Sequence, residues 1–104
     1  MTTISPILTL ATALLVGAPA LAHAPIIACY DEGDDTIYCE AGYSDGASSE
    51  GQVVRVMSAE GRLLIESAFD ADGAFRFDRP DTPFFVEFVG DGTHQAVFHE
   101  DELY

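Results

Sequence analysis

The sequence predicts a small all-β fold, seven short strands arranged as a two-sheet sandwich, and three observations lead there. Beyond residue 22 no stretch keeps a helical period, and apolar side chains alternate with polar ones in short segments. Turn-forming residues recur about every 8 to 12 positions, the spacing of a sandwich rather than of helices. Two cysteines, Cys29 and Cys39, flank the acidic, turn-like run Asp31-Glu32-Gly33-Asp34-Asp35. High apolar content with clear patterning argues against disorder.

Residues 4–22 are uncharged and apolar through Leu14, Leu15 and Val16, then reach Pro19 and small residues. That layout is a secretory signal peptide, although the n-region lacks Lys or Arg. An uncleaved anchor is the alternative, since the stretch is nearly long enough to span a bilayer; Pro6, Gly17 and Pro19 make it a poor helix. Two cleavage sites compete. Ala20-Leu21-Ala22 leaves His23 first, and Ala22-His23-Ala24 leaves Pro25 first. Proline after the scissile bond has no N–H and a locked φ, so the cut after Ala22 is favoured. The expected division is a signal peptide over 1–22 and one domain over 23–104, periplasmic or secreted, with no membrane insertion after cleavage.

The strands follow in order. The first spans Ile26 to Tyr30, and the second Thr36 to Tyr43 with Ile37, Cys39, Ala41 and Tyr43 on one face. A hairpin centred on Asp34 sets Cys29 directly opposite Cys39, a separation that a disulfide accepts. Closing so short a loop contributes roughly 3 kcal/mol on the chain-entropy model. After a polar loop from Ser44 to Gly51, the third strand runs from Gln52 to Met57. Ala59-Glu60-Gly61 then turns into a fourth, with Leu63, Ile65, Ser67 and Phe69 sharing a face. Asp70-Ala71-Asp72-Gly73 turns into a fifth with Phe75 and Phe77 inward; it lacks the further oxygen ligands and distal Glu of a calcium loop. The sixth carries Phe84, Val86 and Phe88 inward and Glu87 outward, and the seventh spans His94 to His99. The last five residues before Tyr104 are expected to fray.

The charged side chains fall in the mature part, 18 acidic residues against Arg55, Arg62, Arg76 and Arg79, for a net charge of −14. Such a surface repels nucleic acid and anionic membranes and attracts cations. The histidines are His23, His94 and His99. An N-terminal histidine chelates through its α-amine and ring together, and that amine titrates near pH 8, so a metal displaces its proton readily. One more imidazole makes a nitrogen set suited to Cu(II) or Ni(II). If the first and last strands run parallel at a sandwich edge, His94 joins His23; if antiparallel, His99 does. A carboxylate such as Asp91 is a further candidate. Against this stands the plain alternative that histidines at a terminus and at strand ends are solvent-exposed polar residues. No nucleophile motif is present, and a sandwich of this size offers little room for a substrate cleft, so an enzyme is not expected.

His23-Ala24 after the leader, Tyr38-Cys39-Glu40-Ala41-Gly42-Tyr43-Ser44-Asp45-Gly46, Val54-Arg55-Val56, Ala59 to Leu64, Phe69 to Phe77 and Gly90 to Ala96 together carry a resemblance. The chain resembles periplasmic accessory components of nickel/cobalt ABC transporters of the energy-coupling-factor type. Its middle part also resembles carboxypeptidase-regulatory-like and transthyretin-like domains. The resemblance implies an immunoglobulin-like sandwich that presents a divalent transition metal (nickel, cobalt or copper) to a membrane transporter, with His23 and His94 as ligands. Copper enters because copper-resistance proteins and lytic polysaccharide monooxygenases also use an N-terminal histidine. The chain departs from that pattern in three places: Pro25 stands where such components often carry a second histidine, the cysteine pair is not a general feature of them, and no C-terminal membrane segment follows Tyr104. These departures weaken the transporter assignment and leave a free-standing periplasmic metal binder in play. The competing class is a metal-free structural or protein-interaction sandwich that docks a partner through a strand edge or through Phe84/Phe85.

Overall fold

A computed structural model describes residues 23–90 and 95–104; the signal-peptide expectation and His94 lie outside them. The strands are β1 (Pro25–Asp31), β2 (Thr36–Tyr43), β3 (Val53–Ser58), β4 (Leu63–Ala68), β5 (Ala74–Asp78), β6 (Phe84–Phe88) and β7 (Ala96–His99), followed by a short 3-10 turn, Glu100–Glu102. They form two antiparallel sheets, ordered β1-β2-β5 and β4-β3-β6-β7. This is the immunoglobulin-type partition with β4 attached to the second sheet. Among the described residues no helix is long and apolar enough to cross a membrane.

The period-two pattern sorts β2, β3 and β6 into an inner and an outer face. Ile37, Cys39 and Tyr43 point from β2 into the core, where Val54, Val56, Val86 and Phe88 meet them from the opposite sheet. Phe69, Phe77, Phe84 and Phe98 close the remaining sides. Each such aromatic or aliphatic side chain contributes about 1.5–3 kcal/mol through burial. Cys29 lies opposite Cys39 in the β1–β2 register, and the two sulfurs are bonded at 2.07 Å, so the expected disulfide is present. Both cysteines are fully buried.

Two expectations are corrected. Met57 pairs with Leu63 but Val56 pairs with Ile65, so Leu64 is an additional residue at a β-bulge. The alternation breaks there: Leu63 is left 49% exposed, while Leu64 and Ile65 both pack on the core. The C-terminus does not fray. Tyr104 donates its N–H to the Cys29 carbonyl at 3.3 Å and accepts the Asp31 N–H at 3.2 Å. Its ring lies 5.3 Å from Tyr30 and 6.2 Å from Phe98, joining one sheet to the other. An edge strand with unpaired backbone groups is a ready partner for a chain end, which covers that edge of β1.

The turns behave as their residues dictate. Asp70 Oδ1 accepts the N–H groups of Asp72 and Ala74 at 2.8 and 2.9 Å, so the Asp-Ala-Asp-Gly run is a self-bonded turn. Gly73 ends it at φ +74°, and a Cβ there would meet the Ala41 carbonyl oxygen at 2.6 Å. That close approach lets Gly73 accept the Ala41 N–H at 2.8 Å, which ties the turn to β2.

Candidate functional site

The register that joins the cysteines also builds the far end of the hairpin. Pro25 pairs with Tyr43, so the chain just before β1 runs beside the chain just after β2. Two hydrogen bonds hold it there: Ser44 donates its N–H to the Ala24 carbonyl at 2.8 Å, and Ala24 donates its own to the Ser44 hydroxyl Oγ at 2.9 Å. His23 thereby comes to rest against Asp45. Its Nδ1 lies 2.7 Å from Asp45 Oδ2; a carboxylate only accepts, so Nδ1–H is the donor.

Both partners are held in place. The His23 ring stacks on Tyr43 with centroids 4.2 Å apart and planes 7° from parallel. Tyr43 is buried and meets Phe88 edge-on at 5.4 Å, so the stack is anchored in the core. Asp45 Oδ1 accepts the Ala47 N–H at 3.1 Å, which leaves Oδ2 for the histidine. The His23 hydrogen bond, and after it the Ala47 N–H, hold the Asp45 carboxyl below the usual carboxylate range. The pair remains open to solvent, with side chains 52% and 41% exposed.

Asp45 was not among the residues singled out from sequence. The signal was present: counting outward from Asp34, the step that pairs Cys29 with Cys39 pairs His23 with Asp45.

His99 belongs to the other end of the sandwich. It closes β7, and its ring lies 5.9 Å from Phe85 beside a shallow groove that includes Pro83 and Glu100. Glu100 is bridged by Arg79, at 2.9 Å, to Asp31, the last residue of β1, at 2.6 Å. His23 precedes the first residue of the same strand. Seven extended residues span roughly 20 Å, so His99 and His23 do not share a site. The reason is direction: β7 runs alongside β1 in the same sense. At the β7 start, Ala96 pairs with Phe88, whose ring touches the Tyr43 on which His23 stacks. His94 precedes that start but lies outside the described residues.

Among the described residues no three His, Cys, Asp or Glu side chains gather to hold an ion. The donors that fit one at His23 are its ring nitrogen, the Asp45 carboxylate, and the α-amine that processing after Ala22 would free. Nickel, cobalt or copper suits such nitrogen and oxygen donors. Of the Phe84/Phe85 pair, only Phe85 is left on the surface; Phe84 is 4% exposed and belongs to the core. No family model, curated protein or solved structure matches the chain.

Proposed function

We propose that the mature chain is a periplasmic transition-metal-binding accessory protein or chaperone, serving nickel or cobalt uptake, with copper as the alternative cargo. The observation that carries this reading is the His23 ring, held flat on Tyr43 at the open end of a stapled hairpin. A free N-terminal histidine needs its ring and amine turned toward one ion, and a ring already fixed loses less entropy on chelation. The disulfide suits an oxidising compartment. The net charge of −14 raises the local concentration of cations without selecting among them. His94 remains the proposed further nitrogen ligand, and a membrane metal transporter the proposed partner.

The test is native mass spectrometry of protein exported through its own leader, with nickel, cobalt, copper and zinc offered together. A mass beginning at His23 with one metal retained is expected. A mass beginning at Pro25, or a His23 form that retains nothing at micromolar metal, overturns the reading and leaves the metal-free interaction module.

A further inference from the structure

The hairpin ladder does not require His23 and Asp45 to touch; beyond Pro25–Tyr43 their side chains could both face water. They meet instead through one particular pair of atoms. We propose that Asp45 Oδ2 is a ligand of the ion that His23 chelates, so that the α-amine, Nδ1 and one carboxylate oxygen form a three-donor corner on a divalent transition metal. This deepens the metal-binding reading and rests on it.

The geometry supports the assignment in three ways. It is Nδ1 that faces the carboxylate, and Nδ1 is the ring nitrogen that closes a six-membered chelate with the residue's own amine. The nitrogen–oxygen distance is 2.7 Å. Neighbouring ligands at right angles on an ion with bonds of about 2.0–2.1 Å stand ~2.9 Å apart, so an ion can replace the shared proton with little movement. Finally, Asp45 Oδ1 is occupied by the Ala47 N–H, and only Oδ2 is turned to the histidine.

The proton balance is simple. Binding through Nδ1 leaves the ring proton on Nε2, and the ammonium releases one proton as the amine binds. Two nitrogens and an anionic oxygen, with no sulfur, favour Cu(II), Ni(II), Co(II) or Zn(II) over Cu(I). The site is therefore one for divalent ions.

The experiment titrates processed protein with Cu(II) alone and Ni(II) alone, against a chromophoric competitor and by Cu(II) EPR. Wild type is compared with Asp45→Asn, with Asp34→Asn, and with a chain carrying one extra glycine before His23. Asn keeps the volume and the acceptor for Ala47, and a matching metal-free circular dichroism spectrum with one cooperative melt, even at a slightly lower midpoint, establishes that the fold is intact. Asp34→Asn removes the same charge from the exposed hairpin tip. The expected result is at least a ~10-fold loss of affinity and an altered EPR spectrum for Asp45→Asn, no change for Asp34→Asn, and loss of binding in the extended chain. Wild-type binding that Asp45→Asn leaves intact overturns the Asp45 assignment alone. Equal losses in both Asn variants reduce it to surface charge and also overturn it. A wild-type chain beginning at His23 that takes up neither ion overturns both this assignment and the metal-binding reading.

Discussion

Removing the disulfide is the perturbation whose cost can be worked most directly. Cys29 and Cys39 lie 10 positions apart, are fully buried, and face each other across adjacent strands. In the chain-entropy model, releasing a loop of this length from the unfolded state costs the fold about 3 kcal/mol. Replacing both with alanine also removes two buried sulfur atoms, which adds on the order of 1 kcal/mol for a site that relaxes only in part. The Cys29→Ala/Cys39→Ala chain should therefore be about 4 kcal/mol less stable, a large share of what a domain of this size possesses. In thermal terms the midpoint should fall by roughly 15–30 °C. The assay is urea unfolding followed by circular dichroism, supplemented by melting curves. The m-value should rise, because the unlinked chain exposes more surface when it unfolds. Unfolding free energies for the two proteins agreeing to within about 1 kcal/mol would refute the reasoning. They would mean that the unfolded chain is already compact around the hairpin, or that bridging the strands strains the native state by as much as it stabilises it.

Two further outcomes test the turns and the charge pair. Gly73→Ala should destabilise by at least ~2 kcal/mol, since its methyl would sit 2.6 Å from the Ala41 carbonyl and 2.9 Å from Ser49 Oγ at φ +74°. Gly46→Ala, at φ +90° in open space, should cost only about 1 kcal/mol, and equal costs in urea titrations would contradict the steric account. The Asp45 carboxyl, lowered by His23 and Ala47, contributes stability above its unfolded pKa that is lost as pH falls through the lower folded value. Wild type should thus lose its advantage over metal-free Asp45→Asn on acidification from about pH 5 to below the ordinary aspartate pKa of ~3.9; a gap that widens instead would show the sign to be wrong.

Much of this molecule was legible in its sequence because the relevant interactions are local. Alternation in Thr36–Tyr43 and Phe84–Phe88 reads out directly as inward and outward faces, since successive strand residues point to opposite sides. One symmetric hairpin about Asp34 places Cys29 on Cys39, and the same count reaches His23 and Asp45. That second consequence was available but went unread, because an aspartate in a polar loop before glycine is fully explained as a turn residue.

Tertiary structure decided the rest. A bulge at Leu64 breaks the alternation of β4, and no local pattern announces one additional residue between two apolar neighbours. Tyr104 closes the edge of β1 because that edge is unpaired in the folded sheet, a circumstance that its own acidic surroundings in the chain do not signal. His99 and His23 are separated by the relative direction of strands in different sheets, which depends on how the chain crosses between layers. The sequence by itself determined the strands, the stapled hairpin and a histidine at its open end. Only packing decided that this histidine lies flat on Tyr43 with its Nδ1 on Asp45, because stacking and ion pairing of exposed groups require partners that the fold brings together.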